Sequence, residues 1–177
     1  GYFWLSYEEP SLDSQAILFD LDEAGRYDYN YQYDGGAAIQ YFELDSGSSM
    51  ANAFTARGSE YLAAASFYTY EPNVTYTVDV YTGLASAADP TSGTRVAGAR
   101  VSGSAQYAGY HTVDLGQPIP LERGQRFSIV VTLTHASGTV SVPIDGNADY
   151  GWIRFACSAE AGQSFFREQG AWIDVSA

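Results

Sequence analysis

The chain has 177 residues, of which 46% are hydrophobic and 15% aromatic, and its formal net charge is −13. That composition supports one packed domain and excludes a disordered chain. All eight basic residues are arginine, and so acidic a surface repels phosphate, which excludes nucleic acid and anionic lipid as partners. The acidic surplus reads either as cation binding or as plain solubility, with solubility the default.

In chain order, Gly1 to Tyr7 reads as a short aromatic strand and Ala16 to Leu21 as a second apolar run. Tyr27, Tyr29, Tyr31 and Tyr33 then alternate with Asp28, Asn30, Gln32 and Asp34, and Gly35 and Gly36 close the run. Residues Asp45 to Asn52 read as a loop, Tyr61 to Tyr70 as a strand with small residues on one face, and Val74 to Val80 as a clean alternation. The stretch Ala85 to Gly103 is rich in Ala, Ser, Gly, Thr and Pro and reads as a long surface connection.

The segment Gly109 to Thr134 carries the strongest pattern. His111, Val113 and Leu115 share one face of a strand, and Phe127, Ile129, Val131 and Leu133 share one face of the next. Pro118 and Pro120 cannot donate to a ladder and are placed in the link or at a strand end, with Gly124 turning the chain. The Ser137-Gly138 turn leads to Val140, Val142 and Ile144, and the last strands are expected over Trp152 to Ser158 and Gln163 to Val175. Only Ala51 to Ala65 competes as a short helix, and its alternation and glycine weaken that reading. The expected fold is all-β, an antiparallel β-sandwich of jelly-roll-like kind.

A single cysteine, Cys157, forbids an intrachain disulfide. No apolar run is long enough to span a membrane. The chain starts at Gly1 and not at Met, so it reads as a fragment or a processed product whose targeting signals lie outside it.

The candidate chemistry is thin. Cys157 shares the alternation of Ile153 and Phe155 and reads as a buried structural thiol, and neither His111 nor His135 has the context of a catalytic base. His111 reads as a satisfied core residue. Asp145, Asn147 and Asp149 offer alternate oxygen ligands, but an EF-hand needs glycine and glutamate where Tyr150 and Ala156 stand. A looser calcium site is the metal reading and a plain turn the default. Asp20, Asp22 and Glu23 form a second acidic cluster, read as a solvated turn. No other cofactor and no catalytic residue is expected. The tyrosine row Tyr27, Tyr29, Tyr31 and Tyr33, with Asp34, Trp152 and Trp172, is the candidate ligand face, because aromatic rings stack on sugar C–H surfaces. Packing on the core or on another domain is the competing reading.

The segments NYQYDGG at Asn30 to Gly36, NAFTARGSEYLAAASFYT at Asn52 to Thr69 and YTVDVYTGL at Tyr76 to Leu84 stand in collinear order with AGYHTVDLGQPIPLERGQRFSIVVTLT and AGQSFFREQGAWID. Together they resemble the lectin-like domain that follows papain-like cysteine peptidase domains in secreted bacterial and archaeal proteins. The first residues, GYFWLSYEE, resemble the closing strand of the peptidase domain itself. The resemblance implies a division into a peptidase tail over residues 1–22 and a lectin-like sandwich over residues 23–177, with every catalytic residue upstream of Gly1. It further implies a secreted or cell-surface protein, a peptidase domain as intramolecular partner, and a glycan or cell-surface polysaccharide as external partner. A structural module that packs on the peptidase and shapes its cleft is the alternative, and an independent hydrolase the third reading. Fold kinship alone does not establish sugar binding.

Overall fold

The computed structural model describes Ser6, Phe19, residues 25–33 and residues 40–176. The expectations for the rest of Gly1 to Tyr7 and of Ala16 to Leu21, for the Asp20, Asp22 and Glu23 cluster, and for Asp34 fall outside the described residues. The chain divides into two units, residues 1–31 and 32–177. Residues 25–33 contain no strand. The tyrosine alternation there has no ladder beside it, so period two does not place its rings on one face.

In the second unit the strands are β1 (Gln40–Asp45), β2 (Ser49–Thr55), β3 (Glu60–Thr69), β4 (Val74–Thr82), β5 (Thr94–Arg95), β6 (Val101–Ala105) and β7 (Gly109–Leu121). They continue as β8 (Arg126–Thr134), β9 (Thr139–Ile144), β10 (Ala148–Asp149), β11 (Arg154–Phe155), β12 (Ser164–Glu168) and β13 (Ala171–Asp174). A single 3₁₀ turn, Ala97–Ala99, is the only helical element among the described residues. The segment from Ala51 to Ala65 is strand and turn, not helix, and the expected loop at Asp45 to Asn52 shrinks to a turn at residues 46–48.

Seven strands form one antiparallel sheet in the order β13-β12-β2-β8-β4-β5, with β6 also paired to β4. The opposing layer consists of two antiparallel ribbons, β1–β9 and β3–β7. The turns after β1, β3, β7 and β8 all carry the chain from one layer to the other. The connection between β7 and β8 is residues 122–125, where Gly124 takes φ +83 and Gln125 N–H donates to the Glu122 carbonyl at 2.9 Å. Ser46 pins two of these corners together: its Oγ donates to the His135 carbonyl and accepts from the His135 N–H.

The core lies between the layers, as the alternation of β8 predicts. Phe127 and Leu133 are almost fully buried, Val131 is buried and Ile129 half-buried. Each fully buried ring or branched chain of this kind contributes about 1.5–3 kcal/mol. Val74, Val78 and Val80 of β4 join them, and Phe67, Leu44, Val140, Ile119 and Leu121 face them from the other layer. Two aromatic pairs cross the gap, Phe67 with Tyr76 at 4.9 Å and Phe42 with Phe166 at 5.2 Å between ring centres.

Two expectations need correction. Pro118 lies within β7 and not in a link or at a strand end, whereas Pro120 stands at the strand's end, one residue before Leu121. The strand tolerates Pro118 because its ladder shifts: Leu62 pairs with Ile119 but Ala64 pairs with Asp114, so residues 115–118 bulge out of register, while Pro120 stays in register opposite Tyr61. Gly116 sits in that bulge, where a Cβ would stand 2.6 Å from the Gly98 carbonyl oxygen. The second correction concerns the reverse face of β8. Ser128 is fully buried and Val130 is buried. The connection after β4, expected on the surface, folds across this face and covers it.

Candidate functional site

The covered face shows what a finished surface looks like in this fold. Ala51, Ala53, Leu84, Val130 and Phe165 form a cluster on the outside of the seven-stranded sheet, with Tyr81 and Trp172 packed against it. Pro90 presses into the same face, and its carbonyl accepts from the Ser128 hydroxyl. Gly93 lets the connection touch β4, since a Cβ there would collide with the Thr82 carbonyl oxygen. Arg100 clamps the far end with two charge-assisted bonds to buried Asp79, at 2.8 and 2.6 Å, and Arg95 stands 3.6 Å from the same carboxylate. Trp172 closes the near end. It is half-buried, its indole N–H donates to Thr91 Oγ1 at 3.3 Å, and the Arg167 guanidinium lies 5.8 Å from its ring centre.

The outside of the other layer is different. Successive side chains on a strand point to opposite faces, so Ser66 and Tyr68 of β3 turn outward while Ala65 and Phe67 turn in. On β7, Tyr110, Thr112 and Asp114 turn outward, and Tyr68 and Tyr110 stand directly opposite each other. Ser66 and Thr112, the next pair along, join their hydroxyls at 3.0 Å. Tyr70 follows β3. Its ring lies 5.2 Å from Tyr68 and 5.6 Å from Tyr41 on β1, at interplanar angles of 66° and 52°. Glu71 sets this junction by accepting the Ser141 N–H of β9 at 3.1 Å, which ties the end of one ribbon to the other.

The result is a row of four tyrosines, Tyr110, Tyr68, Tyr70 and Tyr41. The outer two are 65% and 59% exposed, and the inner two are half-buried against their neighbours. Burial pushes the Tyr70 phenol above its ordinary range, and the nearby Tyr68 and Tyr41 hydroxyls push it further, so that phenol stays protonated and donor-competent at neutral pH. Such a row offers flat apolar surface together with hydroxyls that donate and accept. The sequence reading missed it. Tyr68 and Tyr70 are legible as one face of a strand, but Tyr41 and Tyr110 join them only through strand register.

The residues expected to form a site are spread out. Tyr27 and Tyr29 are exposed and Tyr31 half-buried in the first unit, where the Arg26 guanidinium lies 5.2 Å from the Tyr27 ring centre. Tyr33 belongs to the second unit, stacks on Phe54 at 4.8 Å and donates to the Ala53 carbonyl at 2.6 Å. Burial raises the Tyr33 phenol, while the charge of Arg126 opposes that rise. Trp152 is 85% exposed at the tip of the β10–β11 hairpin beside exposed Tyr150, and Trp172 is part of the covered face. Asp145, Asn147 and Asp149 lie along the same hairpin. Asn147 Oδ1 accepts the Cys157 N–H at 2.9 Å and Asp149 Oδ1 the Gly151 N–H at 2.8 Å, as turn-forming side chains do. Among the described residues no group of three His, Cys, Asp or Glu could hold a metal ion.

Cys157 is half-buried and not the buried thiol expected, because β11 is two residues long and Ile153 beside it is exposed. His111 is satisfied, its Nε2 3.1 Å from the hydroxyl of buried Thr69 and its ring 5.6 Å from Phe67. His135 is engaged with Ser137 Oγ at 2.8 Å in a surface turn.

A family model described as a lectin-like domain matches residues 30–177. Two solved structures share the fold. One is the clostridial cysteine protease Cwp84 after propeptide cleavage, with a TM-score of 0.65 and 20% identity over 82% of this chain and 35% of that one. The other contains the cysteine protease and lectin-like domains of Cwp84, a surface-layer-associated protein of Clostridium difficile, with a TM-score of 0.57 and 21% identity over 75% and 29% of the two chains. The chain therefore spans about a third of the length of those proteins. No curated protein sequence matches it.

Proposed function

This chain belongs to the lectin-like domain family, and from that premise we propose that it is the non-catalytic module of a cell-surface cysteine peptidase, holding the enzyme against glycan-bearing material. The observation that carries this reading is the contrast between the two outer faces. One is covered by the chain's own connection, and the other presents an aromatic row with half or more of its outer rings in solvent. Contiguous aromatic surface left open on a folded domain marks a binding face. The peptidase context is supported by the two solved structures, in which a domain of this fold accompanies a cysteine protease. Catalysis would reside in the peptidase part.

Each ring stacked on a sugar contributes on the order of 1 kcal/mol, by analogy with other aromatic contacts, so a single site binds weakly and retention depends on many sites along a polymer. The test incubates the isolated chain with cell-wall and polysaccharide preparations and, separately, with peptide substrates. Retention on the polymers without peptide cleavage is expected. Cleavage that survives repurification overturns the non-catalytic part of the reading, and absence of retention overturns the targeting part.

One observation favours a structural module instead. The hairpin tip with Trp152, Tyr150 and Ile153 exposed is apolar enough to dock on a second domain. Binding of the chain to a separately expressed peptidase domain, abolished by Trp152→Ala, identifies that role and is compatible with glycan retention elsewhere on the molecule.

A further inference from the structure

Building on the glycan reading, we propose that the row Tyr110, Tyr68, Tyr70 and Tyr41 is the binding site, and that it takes an uncharged, extended glycan chain lying across the strands. The row takes no part in the core between the layers. Its rings stand on the outer face of the second layer, opposite in direction to Phe67, Val140 and the rest of the core. Tyr70 meets Tyr68 edge-on and Tyr41 at a tilt, so these rings are not stacked face to face.

The chemistry of the row selects the ligand. All four rings end in hydroxyls, and Ser66 and Thr112 add two more beside Tyr68 and Tyr110. An acyl chain or an apolar helix would cover the exposed Tyr110 and Tyr41 hydroxyls without offering them a hydrogen-bond partner, which disfavours such a ligand. A pyranose offers both partners, with C–H groups on its faces and hydroxyls around its rim.

Charge narrows the class further. Not one of the eight arginines lies on β1, β3, β7 or β9, so the layer that carries the row has no basic side chain in its strands. Glu43 shares the outer face of β1 with Tyr41, and Asp114 shares that of β7 with Tyr110. Uronate, sulfate or phosphate groups would find carboxylates and no basic side chain on these strands. Hydroxyl-rich neutral sugars meet hydrogen-bond acceptors. The row is also longer than one ring. A disaccharide covers part of it, so affinity rises with oligomer length until the row is filled.

The experiment uses the whole chain and isothermal calorimetry. Its probes are soluble cello-oligosaccharides and N-acetylglucosamine oligosaccharides of increasing length, with polygalacturonate as the anionic arm and chitosan as the cationic arm. Binding to a neutral series that strengthens with length is expected. Tyr68→Ala and Tyr110→Ala should each weaken it about fivefold, Tyr68→Phe should weaken it less, and Trp152→Ala should leave it unchanged. Circular dichroism and melting curves establish that each variant is folded, and Tyr110→Ala, whose ring is the most exposed of the four, serves if Tyr68→Ala is not. Neutral binding that survives both variants overturns the site and leaves the lectin reading standing. Binding of polygalacturonate or chitosan alone overturns the ligand class. Absence of binding to every probe, while the chain still adheres to cell-wall material, also overturns the neutral-glycan assignment. Failure to adhere to anything overturns the underlying reading as well.

Discussion

The outer faces of the two layers start from the same sequence logic and end differently. Both are the alternate faces of strands whose other side is core. On the seven-stranded sheet, residues 84–100 fold back, and Pro90, Leu84 and Trp172 bury Val130, Ala51, Ala53 and Phe165. On the β3–β7 and β1–β9 ribbons, Tyr110 and Tyr41 stay in solvent. The difference separates two uses of an aromatic residue. Trp172 has an assigned partner, Thr91, and seals an apolar cluster. In the tyrosine row, Tyr110 and Tyr41 keep most of their surface in solvent. An aromatic that seals should matter to stability, and one that waits for a ligand should matter to binding.

The sharpest break between the faces is expected at Phe165, 3% exposed in the covered cluster. Phe165→Ala should destabilise the fold by about 3–5 kcal/mol in urea unfolding, through lost transfer free energy and the cavity left behind. A loss below about 1 kcal/mol would mean that the connection collapses into the gap and that the seal is loose.

A smaller effect is expected at the clamp. Asp79 is nearly buried and receives both Arg100 bonds. Asp79→Ala should cost about 1–3 kcal/mol, since it removes a charge-assisted pair and leaves the connection unanchored at that end. Arg100→Ala should cost less, because the guanidinium is half exposed and recovers water. The reverse order of the two variants would show that an Asp79 carboxylate left without its partner costs more than the loss of the whole pair.

The covered face also carries a pH signature. Partial burial alone would raise the Asp174 carboxyl, but bonds from the Ser176 N–H, the Gly162 N–H and the Ser176 hydroxyl outweigh it and hold the group below its ordinary range. A depressed folded pKa adds stability above the unfolded value of about 3.9, and that stability is lost as pH falls through the lowered folded value. Thermal melts between pH 7 and pH 2 should therefore show a smaller acid-induced loss in Asp174→Asn than in the wild type. Parallel curves would remove Asp174 from the list of groups coupled to folding.

The strand pattern was largely legible because it is local. Phe127, Ile129, Val131 and Leu133 announce an inward face, and Val74, Val78 and Val80 announce its neighbour. What covers the reverse face was not, because a stretch rich in Ala, Ser, Gly, Thr and Pro looks solvated whether it hangs free or lies flat. Gly93 and Pro90 are small and rigid enough for the second, and only the apposed strand reveals it. Val130 was the available hint, an apolar residue at a position where alternation calls for a polar one. The tyrosine row was illegible for a different reason. Tyr41, Tyr70 and Tyr110 are far apart in sequence, and a one-residue slip in any ladder would turn one of them inward. The row at Tyr27 to Tyr33 shows the converse, a clear alternation at residues where no strand forms.

The smallest stability effect is expected on the open face, and it is the most discriminating. Tyr110 is 65% exposed at the end of the row. Its ring sits opposite Tyr68 across the ladder, a cross-strand contact that contributes about 0.2–1 kcal/mol. Tyr110→Ala should therefore shift the unfolding free energy by less than about 1 kcal/mol, within the range of ordinary surface substitutions. If the row is a binding face, the same variant should lose retention on neutral polysaccharide while keeping its melting curve. If the row is packing for another part of a longer protein, the variant should keep retention and instead lose affinity for that part. The comparison between the two faces thus comes down to one residue with two readouts, and it fails if Tyr110→Ala unfolds the chain as Phe165→Ala does.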